Sequence, residues 1–350
     1  YMCFEKYLTE QISMHPSVLP QDMMKLCYQA AFGAGHLLEN PDRAKEYLQK
    51  EYDAVTEKEM PLYEMISERY CRINLAAWKF HAFPIDWLFR MVADQSIEEI
   101  GEDIFLQYLR TAEKALEQTS VTFSAADWKE YCAAYQKQGL APVHHSQRYR
   151  EKEEPFYRVI DRKYIRLFPL LKRISEVLRE KGRCVVAIDG RAASGKTTMA
   201  DQLRTILHAD VIRMDDFFLP VELRTPKRFD TAGGNVHYER FCEEVLPHLS
   251  EANPFSYRIF DCSRMDYHGR CEIGTAVVRI VEGCYSCHPA FGAYADITVF
   301  SEVDAKEQMQ RILKRNGEKM AGMFRDKWIP LEEAYYAQYA ISDKADMRLD

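Results

Sequence analysis

No run in this 350-residue sequence approaches the roughly twenty consecutive apolar residues that a bilayer-spanning helix needs, and its first residues lack a charged-then-apolar secretory signal. A cytoplasmic protein without a membrane segment is expected. Positive charge is not in excess either: 47 Lys and Arg stand against 54 Asp and Glu. That balance argues against a strongly electrostatic grip on nucleic acid and leaves a small molecule as the expected partner, with oligomerisation open. A long Pro/Gly/Ser-rich linker and an internal repeat are also missing, which excludes loosely tethered domains and solenoids. The length exceeds what one ordinary core fills, so two packed domains are expected. Cysteine, in contrast, is present ten times. Cys3, Cys27, Cys71, Cys132, Cys184 and Cys242 sit among apolar neighbours, as reduced core cysteines do. Cys262, Cys271, Cys284 and Cys287 end in C-x-x-C, which reads as core filler or as half of a zinc or redox site.

Residues 1–160 show helical periodicity and no convincing strand, so this part is expected to be an all-helical domain. Pro20 opens one helix and Gly33 closes it, with Met23, Met24, Cys27, Ala30 and Ala31 as its apolar stripe. Further helices are expected over 41–55, 62–78, 84–93 and 97–118, and Ser124 with Asp127 forms a capping-box signal for another. Beyond residue 160, the amphipathic stretch 164–181 ends at Gly182. Short β-rich runs at 184–188, 211–214, 275–281 and 297–300 then alternate with helices. Such alternation predicts an α/β fold of three layers on a mostly parallel sheet.

Directly behind the first run lies GRAASGKTT, a complete G-x-x-x-x-G-K-[ST] loop at 190–198. Between a buried strand and a helix start, successive backbone N–H groups and the helix dipole converge on a polyphosphate. Gly190, Ala192, Ala193, Ser194, Gly195, Lys196, Thr197 and Thr198 are the expected ATP-phosphate contacts. Lys196 would reach the β- and γ-phosphates, and the Thr197 hydroxyl would meet Mg²⁺. The run at 211–214 ends in Asp215-Asp216, placing carboxylates at the carboxyl edge of the sheet, where Asp215 can take a proton from an acceptor hydroxyl. Glu282 follows the run at 275–281, so Thr197, Asp215 and Glu282 are the candidate Mg²⁺ group. Arg311 and Arg315 lie four apart on a helix, followed by Lys319, Arg325 and Lys327. Arg315 and Arg325 are the candidates for a cationic segment closing over the phosphates; the two lysines read as a solvated face.

These pieces, in this order, resemble the uridine kinase branch of the P-loop kinases, which includes nicotinamide riboside kinase and phosphoribulokinase. The segments that carry the resemblance are AIDGRAASGKTT, RMDDFFLP, GGNVHYERF, RIVEGCYSCHP and RILKRNG, within about 165–350. It implies ATP and Mg²⁺ as cofactors, Asp215 as the base, Glu282 as the metal-side acid, Arg315 as a lid arginine and residues 345–349 as a closing strand. Departures gather where the acceptor would bind. His237 stands where an acid is usual, Phe260-Asp261 replaces a Tyr-Asp pair, Met265 takes the place of a histidine, and Asn316 replaces an aspartate after the lid arginine. His237, Tyr257, Asp261 and Arg264 are the acceptor-side candidates.

The helical part resembles a module that precedes kinases of this type. Its QAAFGAGH and HHSQRYREKEEPFYR segments supply His36, His144, His145 and Arg150, a candidate second site for an anion or nucleotide; helix capping and an interdomain surface would explain the same residues. Three functions are therefore open: a small-molecule kinase acting on a nucleoside-like alcohol, a regulator in which ATP occupancy controls the helical domain, and a bifunctional enzyme.

Overall fold

The computed structural model describes residues 2–35, 40–94, 101–116 and 121–349. The chain divides into two compact units, Tyr1–Ile165 and Arg166–Asp350. In the first, helices Pro20–Phe32 and Gly101–Leu116 pack together, with the Cys27 Sγ 3.8 Å from the Tyr108 carbonyl oxygen and the Tyr28 ring edge-on to Phe105. Local chemistry sets helix starts. Pro41 begins the helix Pro41–Ala54 while the Asn40 side chain accepts the Arg43 N–H, and Ser124 and Asp127 exchange hydrogen bonds ahead of Ala125–Lys137.

An all-helical first unit is not what folds. Strands β1 (Tyr63–Met65), β2 (Tyr70–Asn74) and β3 (Tyr157–Asp161) form an antiparallel sheet with β2 in the centre. The helix expected over 62–78 is replaced by β1, β2 and the short helix Leu75–Phe80, whose start is capped by Asn74 accepting from Ala76 and Ala77. The reason lies in β2. Tyr70 to Ile73 are all buried, so no two-residue alternation marks the strand, and its partner β3 is more than eighty residues away.

The second unit is an α/β fold built on five parallel strands. These are β4 (Cys184–Gly190), β5 (Asp210–Arg213), β8 (Val278–Glu282), β9 (Ile297–Ser301) and β10 (Met347–Leu349), in the order β10-β9-β4-β8-β5. Helices Phe168–Lys181 and Lys196–Leu207 flank β4. All residues of β4 are buried, as the central strand of a sheet covered on both faces requires. The hairpin of β6 (Phe255–Asp261) and β7 (Asp266–Ile273), which the sequence pattern did not mark, is inserted ahead of β8. Residues 164–181 are not one helix: a 3₁₀ segment Arg162–Leu167 precedes Phe168–Lys181, which stops at left-handed Gly182.

Among the described residues, no helix is long and apolar enough to cross a membrane, and no group of three or more His, Cys, Asp or Glu could hold a metal ion. Cys262 is exposed, Cys271 is half-buried, and Cys284 lies 3.0 Å from the Tyr336 hydroxyl; all four late cysteines are free thiols.

Candidate functional site: a phosphate loop and its cavity

Parallel packing brings the carboxyl ends of β4, β5 and β8 side by side, and each end delivers a polar group. Gly190 leaves β4 at φ 136°, and a Cβ on it would lie 2.2 Å from the Ser301 carbonyl oxygen of neighbouring β9. Only glycine fits there. Gly195, also left-handed, precedes the helix Lys196–Leu207, so the loop closes on a helix N-terminus. Lys196 is 8% exposed and folds back on its own loop, donating to the carbonyls of Gly190 at 2.6 Å and Arg191 at 2.8 Å. Its ammonium is thus held inside the loop by two backbone carbonyls.

Asp189 anchors that loop. This fully buried carboxylate accepts from the backbone N–H groups of Gly190 (2.8 Å), Tyr285 (3.2 Å) and Cys287 (2.9 Å) and from the Tyr335 hydroxyl (2.9 Å). Its signal in the sequence is an acid at the end of an otherwise apolar strand, immediately before the loop glycine. Glu332 carries no such signal. It arrives from the helix Ile329–Tyr339 to accept the Ala192 N–H at 3.0 Å, and burial pushes its carboxyl up to about 7 against the pull of Lys196.

At the end of β8, both oxygens of buried Glu282 accept from the Thr197 hydroxyl at 3.3 Å, and one meets Arg213 at 2.7 Å. Burial raises the Glu282 carboxyl, with Arg213 opposing. Arg213 also holds Asp201 at 3.0 Å. The two aspartates after β5 part company. Asp216 turns inward, accepts the Tyr257 hydroxyl at 2.9 Å and is raised by burial, whereas Asp215 is exposed on the wall of a cavity.

That cavity, about 740 Å³, is lined by Ala192 to Thr198, Asp215 and Glu282, with Phe218, Arg224, Asn235, Cys262 and Met265 also on its wall. Arg166, Arg311 and Arg315 add positive charge to it. Arg311 donates to the Ala193 carbonyl at 3.1 Å, and Arg166 lies 3.7 Å from where a Gly195 Cβ would be. The helix Ala305–Met323 breaks at Gly317 (φ 77°), and Met320, Phe324 and Trp328 beyond the break line the same cavity as Arg311 and Arg315 before it.

Several expected positions fall elsewhere. Arg325 is exposed, pairs with Asp326 at 2.8 Å and is not on the cavity wall. Tyr257 is buried and supports Asp216. His237 bonds through its backbone N–H to Phe217 O at 2.6 Å, while its Nδ1 is buried without a partner among the described residues. Asp261 caps the hairpin turn by accepting from Ser263 N and Oγ, and exposed Arg264 lies 3.3 Å from His268. None of these four lines the cavity. Arg166, Asp189, Arg224, Asn235 and Glu332, unremarked in the sequence, hold or line the site. Asn235 is 4% exposed and its Oδ1 has no partner among the described residues, a buried acceptor on the cavity wall.

In the first unit, His36 lies outside the described residues. His145 is buried and internal: its Nδ1 is 3.1 Å from Asp22, its Nε2 2.8 Å from the Tyr157 hydroxyl, and its ring stacks on Tyr149. His144 and Arg150 are exposed.

No protein-family model matches the chain, and no curated protein does. Among solved structures, the chain is similar to one described as a possible uridine kinase from Bacillus stearothermophilus. The match has 18% identity and a TM-score of 0.39, over 52% of this chain and 100% of that one. A likeness of that degree carries no inference about chemistry, which rests on the geometry above.

Proposed function

We propose that the C-terminal unit is an ATP-dependent phosphotransferase that moves the γ-phosphoryl group to a hydroxyl of a small metabolite, a nucleoside or related ribosyl compound. The observation that carries this reading is one cavity holding both halves of such a reaction. The phosphate loop lines it, exposed Asp215 lines it, and Phe218, Arg224, Asn235, Cys262 and Met265 provide a wall for an acceptor. Ala192 to Thr198 bind the polyphosphate, and Lys196 exchanges its loop carbonyls for phosphate oxygens. Asp215 orients the acceptor hydroxyl and takes its proton; Asp216, tied to Tyr257, holds the turn that aims it. Arg166, Arg311 and Arg315 spread positive charge along the phosphates, and Met320, Phe324 and Trp328 exclude water from them. Thr197 and Glu282 offer adjacent hard oxygen donors, a set that suits Mg²⁺, with Asp215 on the same wall. Bound there with ATP, the ion would neutralise charge on the β- and γ-oxygens.

Asp215→Asn tests the reading in a coupled ADP-release assay across nucleosides, ribosides and sugar alcohols. Acceptor-dependent turnover should fall by roughly 10²–10⁴-fold, while ATP binding stays within a few-fold. Near-normal turnover in the variant, or ADP release in the wild type that ignores every acceptor, would sink it.

A further inference from the structure

The acceptor wall of the cavity carries a cation with no acid of its own. Arg224 follows the short turn Val221–Leu223 and lines the cavity together with Phe218, Cys262 and Met265. It is half-buried, and its Nε donates to the Leu219 carbonyl at 2.8 Å. Leu219 lies four residues beyond Asp215, so one segment of chain holds both the exposed carboxylate and the guanidinium. Beyond that anchor the Arg224 side chain reaches the Cys262 thiol, and it makes no ion pair among the described residues.

Most other charges on the cavity wall are engaged. Lys196 donates to the carbonyls of Gly190 and Arg191, Arg311 to that of Ala193 and to Glu307, and Arg315 to the Asn316 side chain. Arg166 donates to Gln202 and faces Gly195. Lys196, Arg311 and Arg166 thus stand at the phosphate loop. Of the acids, Glu282 is held by Thr197 and Arg213, and Glu332 by the Ala192 N–H. Asp215 makes no ion pair among the described residues, nor does exposed Glu222, and Asp261 is taken by Ser263. An arginine anchored at Nε still presents terminal N–H groups that match the oxygens of a phosphate or carboxylate, a charge-assisted contact that a neutral hydroxyl does not give. Phe218 and Met265 on the same wall lower the local polarity and strengthen such a pair. Because the guanidinium is already anchored, little of its freedom is lost when an anion binds.

We infer that the acceptor carries an oxyanion, a phosphomonoester or a carboxylate, besides the hydroxyl that reacts, and that the terminal nitrogens of Arg224 bind it. The inference rests on the phosphotransferase reading and narrows its acceptor to an anionic alcohol. Cys262, exposed and in contact with Arg224, is the reporter. The full chain is alkylated with N-ethylmaleimide and Cys262 is read by mass spectrometry, with ribose, ribose 5-phosphate or D-ribonate titrated to about 10 mM at constant ionic strength. Ribose 5-phosphate, D-ribonate or both, at ten times Kd, should slow the labelling of Cys262 about tenfold while Cys132 of the first unit labels as before. The probe that protects identifies the oxyanion. Ribose should need a concentration about 10–100-fold higher, the worth of a hydrogen bond to a charged group, and Arg224→Gln should erase that difference. Protection by ribose at the same concentration as by the anions, no protection by either anion, or an anionic preference that survives in Arg224→Gln overturns the inference. The last outcome also covers a phosphate that binds at the loop instead, and the wild-type comparison stands whether or not the variant folds. No turnover enters the labelling. Its failure is therefore distinct from failure of the phosphotransferase reading, which ADP release that ignores every acceptor would show.

Discussion

Replacing Glu332 with glutamine should make the ligand-free protein more stable at pH 8 than at pH 5, relative to the wild type. The carboxyl is 8% exposed, and burial raises it from an ordinary 4.5 to about 7. Because the folded carboxyl holds its proton more tightly than the unfolded one, folding takes up a proton between those values. The stability that goes with the neutral form is complete below about pH 4.5 and is lost as the pH rises through about 7. Each pKa unit is worth about 1.4 kcal/mol, so the loss between pH 5 and pH 8 comes to roughly 2–3 kcal/mol. Glutamine never ionises, and its carbonyl can still accept the Ala192 N–H. Urea midpoints of both proteins at pH 5 and pH 8 give the comparison, in which any constant change in the hydrogen bond cancels. Parallel pH dependence in the two proteins would refute the reasoning, since it would mean that Glu332 is ionised without penalty against the loop.

Two further outcomes are expected. Gly190→Ala places a Cβ 2.2 Å from a backbone oxygen of β9 at a left-handed φ, so it should cost about 3 kcal/mol or more and weaken nucleotide binding; a melting temperature within a degree or two of wild type would contradict the described close approach. His145 is held neutral by burial, its pKa lowered from 6.5 to about 4, so the first unit should lose up to about 3 kcal/mol as the pH falls through that window. A His145→Gln variant that loses stability in parallel with the wild type between pH 7 and pH 4.5 would exclude His145 as the source.

The glycine-rich loop was legible in the sequence because it is local. A loop, the strand before it and the helix after it fit in one short stretch, and β4, β5, β8 and β9 fall within a few residues of the runs that announced them. Capping at Ser124 was legible for the same reason. The sheet of the first unit was not, because β2 is buried on both faces and its partner β3 comes from the far end of that unit. Glu332 reaches Ala192 across 140 residues, and no local pattern of the helix that carries it points to the loop. The residues expected on the acceptor side are not the ones on the cavity wall: the pleat of β6 turns Tyr257 into the core, while Cys262 and Met265, in the turn after it, line the cavity.

The hydrogen bonds to Asp189 also say something about the order of assembly. Apart from its neighbour Gly190, its donors lie 96, 98 and 146 residues further along the chain. A carboxylate buried without them carries a penalty that a partly folded chain has no means to offset. The loop at 190–198 is encoded mid-chain, yet the carboxylate in front of it has its full set of donors only once the helix bearing Tyr335 has docked. On the proposed reading, nucleotide binding would therefore report that the second unit is complete.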